Sequence, residues 1–493
     1  MMHMTAYESV LASQQWTQHR ARLQESRHNA LQIPTHRVLT AFGLMVMCYF
    51  TTCGGPVGTE PLISSGGPLR GIIAQIIYPV FFNFPILLAI TELATAYPND
   101  GGYSVWVLNA FGPFWGFQAG FWSWVASIMD RIVYVQFMYE KILTALGYDS
   151  ETLFSYGAAY VIKASVVVLL SIPALFGAQN LVRVLIGLLV LVLAPFSIMS
   201  IWGFSKTESA AAFGEVRPDS NIGDDWLFDW SGYADLFWLY DGFYLAAVFG
   251  GEVARPAATY PQGIKFGFLL TWFSYFLPMI AAVGAASTLH WSQFEEDSYP
   301  DIARAFGGTT LYAIVMVGLV AGVVGMYMAE LFCQAYQMRG MAENGLLPSL
   351  FMERDHTFGT PRKSIYFTTC IVLLGLFVVD EVYDCYEVRN ALSGLVELFI
   401  IVAALWLRHT QPFVYRSIKV PGGLAGMVAL LILPAIMLCY HIIYRLVDSS
   451  CTAVLVGILL AGFLYSGATW MWHQRQQKKQ LPDALDSVFV YAS

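Results

Sequence analysis

Charge is what this sequence lacks. Only 12% of its 493 residues are Asp, Glu, Lys or Arg, about half the share in an ordinary soluble domain. That shortage excludes a chain with water on all sides. No basic stripe interleaved with aromatics is present, which excludes a nucleic-acid partner. The seven cysteines show neither CxxC nor Cys/His ligand spacing, so no metal site is expected. Most of them, including Cys48, Cys333 and Cys439, lie in apolar runs and read as small buried hydrophobes. Cys385 and Cys451 share the expected outer face, and no disulfide between them is expected. Nucleophile–base spacing is missing too, so the chain does not read as an enzyme and implies no cofactor. The first 34 residues lack an apolar h-region and carry Arg20, Arg22 and Arg27, the pattern of a cytoplasmic tail rather than a cleaved signal peptide.

What is there is apolar residues, 57% of the chain, in repeated runs of about 20, the length that crosses a bilayer as helix. These features predict an all-α polytopic membrane protein with twelve spans. The spans fall near 38–64, 70–97, 111–145, 155–176, 179–204, 233–254, 264–288, 309–338, 364–380, 388–408, 422–445 and 450–472. The loops around 206–229, 291–301 and 380–387 are acidic; those around 339–363, 408–419 and 475–480 are basic. Basic loops stay on the cytoplasmic side, so both termini (1–37 and 473–493) are expected there. The outer acids either only orient insertion or also concentrate cations near an entrance.

Two spans are interrupted. "TTCGGPVGTEP" (51–61) places Gly54, Gly55, Pro56 and Gly58 inside the first, and "FWLYDGFYLAAVFGGEVARP" (237–256) places Gly242, Gly250 and Gly251 inside the sixth. Glycine and proline do not sit well in a continuous helix. The two breaks open two five-span blocks, 38–204 and 233–408, with 422–472 following. Matched breaks predict a five-plus-five inverted repeat whose broken helices 1 and 6 line a central site and whose freed backbone groups bind a ligand. The competing reading is close packing at small residues.

Several stretches resemble the APC (amino acid–polyamine–organocation) superfamily, and within it the eukaryotic polyamine/proton symporter branch. They are "GGPVGTEPLISSGGPL" (54–69), "ITELATAYPNDGGYSVWVLNAFGPFWGFQAGFWSW" (90–124), "GGEVARPAATYP" (250–261), "GMYMAELFCQAYQMRGMAENGLLP" (325–348) and "GTPRKSIYF" (359–367). The resemblance implies that inverted-repeat fold, proton-driven uptake of organic cations and, by family default, the plasma membrane. One departure stands out. Eight residues before Glu252, where that branch usually has an acid, this chain has Tyr244; its acid is Asp241, about one turn earlier.

An acid at bilayer depth costs about 2.5 kcal/mol or more, so each is a candidate functional group. The chain places Glu60, Glu92, Asp130, Glu140, Asp241, Glu252, Glu330 and Glu397 in its spans against Arg131, Lys163 and, near the start of the fifth span, Arg183. Asp241, between Trp238 and Tyr244 at the second break, is the leading ligand for an ammonium; its alternative role is to cap the next half-helix. The resemblance makes Trp238 a gate and platform, and Tyr134 a tyrosine facing the site; an ordinary core aromatic is the alternative. Asp130, one turn before Tyr134, faces the same cavity or is neutralised by Arg131 or Lys163. Glu330, matching a family acid, takes a second ammonium or the coupling proton, with no base within one turn of it. Glu252, at the cytoplasmic end of span six, caps the chain there or pairs with Arg255, as a gate or structural residue first and a proton site second. Glu60 follows the first break and borders the pocket, while Glu397 faces an unassigned direction. Pro56 removes an N–H and Glu60 adds negative charge at the first break, both unfavourable to a substrate carboxylate. A diamine or polyamine such as putrescine, cadaverine or spermidine fits best. A cationic amino acid permease or exchanger is the alternative, and a non-cycling sensor a third reading.

Overall fold

The computed structural model describes residues 37–149, 152–207, 210–216, 230–285, 289–379, 382–448 and 452–469. Cys451 lies outside them. The described residues are helical, with only isolated β-bridges. Helix α1 (Ala41–Phe50) starts at Thr40, whose hydroxyl accepts the Gly43 N–H at 3.3 Å, a normal N-cap. The chain then leaves helical geometry until α2 (Glu60–Gly66). Helix α3 (Pro68–Ala96) contains a π-turn at Pro79–Asn83, between two prolines that cannot donate to the ladder. It is followed by α4 (Tyr103–Phe111), α5 (Pro113–Ala145), α6 (Tyr156–Ser171) and α7 (Ala178–Ser205). Helix α8 (Trp230–Tyr240) stops at Asp241, and α9 (Pro256–Gly284) resumes after two short 3₁₀ turns. Helix α10 (Tyr299–Glu343) is two helices joined at Gly308, whose φ is 69°, one residue before the predicted span of 309–338 begins. Helices α11 (Arg362–Val378), α12 (Val382–Thr410), α13 (Gly423–Asp448) and α14 (Thr452–Thr469) are the last of the described residues' helices.

Eight of the described helices are long and apolar enough to cross a membrane. Their burial separates inner from outer members. Two thirds of the most apolar window is buried in α10 and in α12, but 22% in α6 and 17% in α14. The outer helices carry bare apolar side chains such as Leu169 (62% exposed), Ile443 (60%) and Leu464 (73%). Such a surface is stable against lipid and not against water. The chain is a multi-pass membrane protein.

Inside, α1 packs on α9, α7 on α10 and α5 on α12. The two interrupted segments cross. A Cβ built on Gly242 would lie 2.0 Å from the Thr51 carbonyl oxygen, and Gly242 has φ of 107°, so only glycine permits this crossing. At one end of the bundle the chain after the second break is clamped: Leu39 bridges Val253 and Asp100 bridges Phe249. This is the end that carries the basic loops.

Candidate functional site

The two breaks free backbone carbonyls, as the sequence suggests, but several of these are already taken. Tyr275 Oη lies 3.0 Å from Thr52 O and 2.8 Å from Leu239 O, sharing its one proton between the two breaks. Asn83, carried on the π-turn of α3, donates to Tyr240 O at 3.1 Å. These side chains hold the broken backbone in place, so the expectation that its freed groups are left for a ligand is corrected for these three carbonyls.

Asp241 sits at the crossing and is 2% exposed. It does not cap a second half-helix: the 3₁₀ turn that follows has no side-chain cap. Its partner is Arg389 of α12, whose Nη2 is 2.9 Å from Asp241 Oδ2. The same guanidinium donates from Nε to Asp130 Oδ2 at 2.8 Å. The cation paired with Asp130 is thus Arg389, where one of the two sequence readings offered Arg131 or Lys163. Lys163 instead donates to Gln136 at 2.7 Å. The predicted span 388–408 already contained Arg389 at its edge; an arginine in the first turn of an apolar segment, eight residues before Glu397, was the signal to weigh.

Glu330 accepts the Tyr134 hydroxyl at 2.7 Å through Oε1, so the two residues expected at the site do meet. A base from another helix, Arg131 of α5, acts on Glu330 through its charge, and among the described residues forms no ion pair with it. Arg131 is fully buried, and the strongest charge drawing on its guanidinium is Glu330. Among the described residues none accepts a hydrogen bond from Arg131. Glu397 also reaches the cluster: its side chain meets that of Asp241.

The aromatic residues divide. Trp238 lies edge-on to Tyr386 at 5.8 Å and against Gly58 of the first break, and it meets Asp130. Tyr244 is part of the wall: its hydroxyl is 3.1 Å from Ser393 Oγ and its ring meets Tyr103 edge-on. Gly54 and Gly55 are packing positions. A Cβ on Gly54 would come within 2.4 Å of Met326 Sδ, and one on Gly55 within 2.9 Å of Phe196. At these two the small-residue reading is the one realised.

Two further charge groups lie away from Asp241. At the basic end Glu252 pairs with Arg354, not with the expected Arg255, and Arg354 also meets Asp100 at 2.9 Å. Asp100 additionally pairs with Arg339 and accepts the Gly251 N–H at 2.7 Å. Together with the bridges at Leu39 and Asp100 this network ties the chain segments of that end to one another. At the acidic end Glu60 accepts the Gly58 N–H at 2.7 Å, and the charges acting on it are Asp297 and Glu296. Asp297, 3.4 Å from Lys141, is pushed up to about 7 by burial, against the pull of Lys141. Its unfolded value is about 3.9, so the folded state binds the proton more tightly. The sign follows: stability from this group is present below about pH 4 and is lost as pH rises through about 7. The unfolding temperature of purified protein should therefore fall as pH rises across that window, and Asp297→Asn should flatten the decline. Parallel profiles for the two proteins would show that Asp297 titrates normally.

A helical membrane protein that builds a buried charged site where two interrupted helices cross belongs to the class of small-solute carriers. A family model described as amino acid permease matches residues 38–469. The chain belongs to that family, within the APC superfamily. It is 29% identical to a probable polyamine transporter of Arabidopsis thaliana over 87% of this chain and 83% of that protein. It is also 29% identical to polyamine transporter PUT1 of Oryza sativa subsp. japonica, over 91% of this chain and 82% of the relative. A more distant relative is the glutamate/serine transporter AimA of Bacillus subtilis (strain 168), 22% identical over 90% of this chain and 84% of that protein.

Proposed function

We propose that this transporter takes up diamines and polyamines, coupled to protons, at the crossing of the two breaks. One observation carries the reading. Among the described residues, the cluster at the crossing has four carboxyls (Asp130, Asp241, Glu330 and Glu397) and two guanidiniums (Arg131 and Arg389). Two negative charges are left over. Uncompensated charge of that size is not tolerated in a dry interior. Protons, or a ligand with two ammonium groups, make up the difference. The names of the plant relatives agree with such a ligand. In this reading 38–204 and 233–408 are the two inverted repeats of a twelve-span carrier and 422–472 flanks them. The protein works in the plasma membrane with both termini, and the clamped basic end, on the cytoplasmic side. Trp238 and Tyr134 form an aromatic platform, and the Glu252–Arg354–Asp100 network is the inner gate.

Asp241 holds one ammonium in competition with Arg389, and Glu330 binds the other or the accompanying proton. Asp241→Asn keeps the size and removes the charge. A charge-assisted hydrogen bond is worth about 1.5–3 kcal/mol, so putrescine affinity should fall roughly ten- to a hundredfold. A neutral amine analogue should lose less. Uptake of radiolabelled putrescine into vesicles, with and without an imposed proton gradient, tests the whole reading. Equal accumulation in both cases would remove the coupling, and wild-type diamine binding by Asp241→Asn would remove the site.

A second reading, a cationic amino acid permease, rests on Arg131. Its buried guanidinium has open hydrogen bonds, the group an α-carboxylate would seek. Competition by lysine and arginine against putrescine in Arg131→Gln separates the two.

A further inference from the structure

Glu397 is the one acid of the cluster whose partner is another acid. It lies on α12 about two turns beyond Arg389 and is 3% exposed. Its side chain meets Asp241. Among the described residues no donor is hydrogen-bonded to Glu397 Oε2 or to either oxygen of Asp241, although Arg389 Nη2 stands 2.9 Å from Asp241. Two carboxyls in contact, away from water, are not both ionised unless a cation comes between them; the pair is stable with one proton, or with a cation in its place. Arg389 stands beside Asp241, and among the described residues no cation forms an ion pair with Glu397.

The surrounding groups leave that arrangement in place. Asp130 of α5 is held by Arg389. From α13, Arg445 is taken by Glu387, and His441 lies against Gly394, three residues before Glu397. From α3, Glu92 is bound by Arg408 and Arg416 at the far end of α12. From α8, Asp235 meets Tyr386. Tyr103 and Tyr244 bond to Ser123 and Ser393.

We propose that Glu397 carries the coupling proton, and that Arg389 is the internal cation that replaces the substrate when the proton leaves. This rests on the carrier reading above and names its proton site. With Glu397 protonated, Asp241 accepts the Glu397 O–H on one side and keeps the other side for an ammonium. When the Glu397 O–H bond breaks, its electron pair stays on Glu397 and the proton passes to water on the open side. Two adjacent carboxylates then draw Arg389 between them, and the ammonium loses its place. Proton and amine therefore arrive and leave together.

The test uses full-length protein in proteoliposomes. Glu397→Gln keeps a donor to Asp241 but cannot release a proton. Proton-driven putrescine accumulation should fall at least tenfold, exchange of internal for external putrescine should fall by a smaller factor, and the pH profile of uptake should flatten. Glu397→Asp should restore a pH-dependent profile, displaced from that of the wild type. Putrescine added to purified protein in weak buffer should cause proton uptake in the wild type and not in Glu397→Gln. Wild-type coupling and pH profile in Glu397→Gln overturn the assignment and leave the carrier reading standing. A wild type that never accumulates putrescine on a proton gradient overturns both. If Glu397→Gln reaches the membrane poorly, Glu397→Asp with an unchanged pH profile overturns the assignment equally.

Discussion

Replacing Arg389 by glutamine is expected to remove most of the folded protein from the membrane. The guanidinium is the shared counter-ion of Asp130 and Asp241, both buried. Removing one partner of a buried pair typically costs about 3–5 kcal/mol, because the remaining charge is left without compensation. Here two carboxylates lose their partner at once. Total stability is on the order of 5–15 kcal/mol, so the loss is a large fraction of it. The double variant Arg389→Gln, Asp130→Asn removes one charge of each sign and should recover much of the protein. The measurement is the amount of monodisperse protein extracted from membranes, together with its unfolding temperature. Wild-type yield from Arg389→Gln alone, with collapse of Arg131→Gln, would transfer the counter-ion role to Arg131.

Gly242→Ala should be as damaging, for a reason of shape rather than charge. The added methyl would meet the Thr51 carbonyl at 2.0 Å, and the residue's φ of 107° disfavours any side chain. The obstacle is backbone, which cannot rotate aside as a side chain can. The two breaks would have to separate, and with them Asp241 and the shared hydrogen bonds of Tyr275. Transport should fall below detection, with reduced protein. Gly187→Ala is the control: a Cβ there meets nothing within 4 Å, and the variant should transport as wild type does. Normal transport by Gly242→Ala would show that the crossing is looser than the structure has it.

The sequence by itself determined the class of molecule. Too few charges, apolar runs of bilayer length and two glycine-bearing breaks leave little besides a multi-pass protein with a site at depth, because a bilayer penalises every unpaired polar group. It also marked out which acids are buried at depth, since an acid there is costly wherever it points. Asp241, Asp130, Glu330 and Tyr134 are brought together as their positions suggested. What the sequence did not decide is what each acid faces. Arg389 is 148 residues from Asp241 and 259 from Asp130; Arg354 is 102 from Glu252. Neighbours along the chain, Arg131 next to Asp130 and Arg255 three residues after Glu252, were the partners the sequence could offer, because local spacing relates only residues within a turn of one another. In a bundle, however, each side chain's partner is set by which helices pack together and at what height. Those contacts, α5 on α12 and the crossing of Gly242 with Thr51, are tertiary. They turned Asp241 from a free carboxylate into one already held by a cation, and they set Glu397 against it.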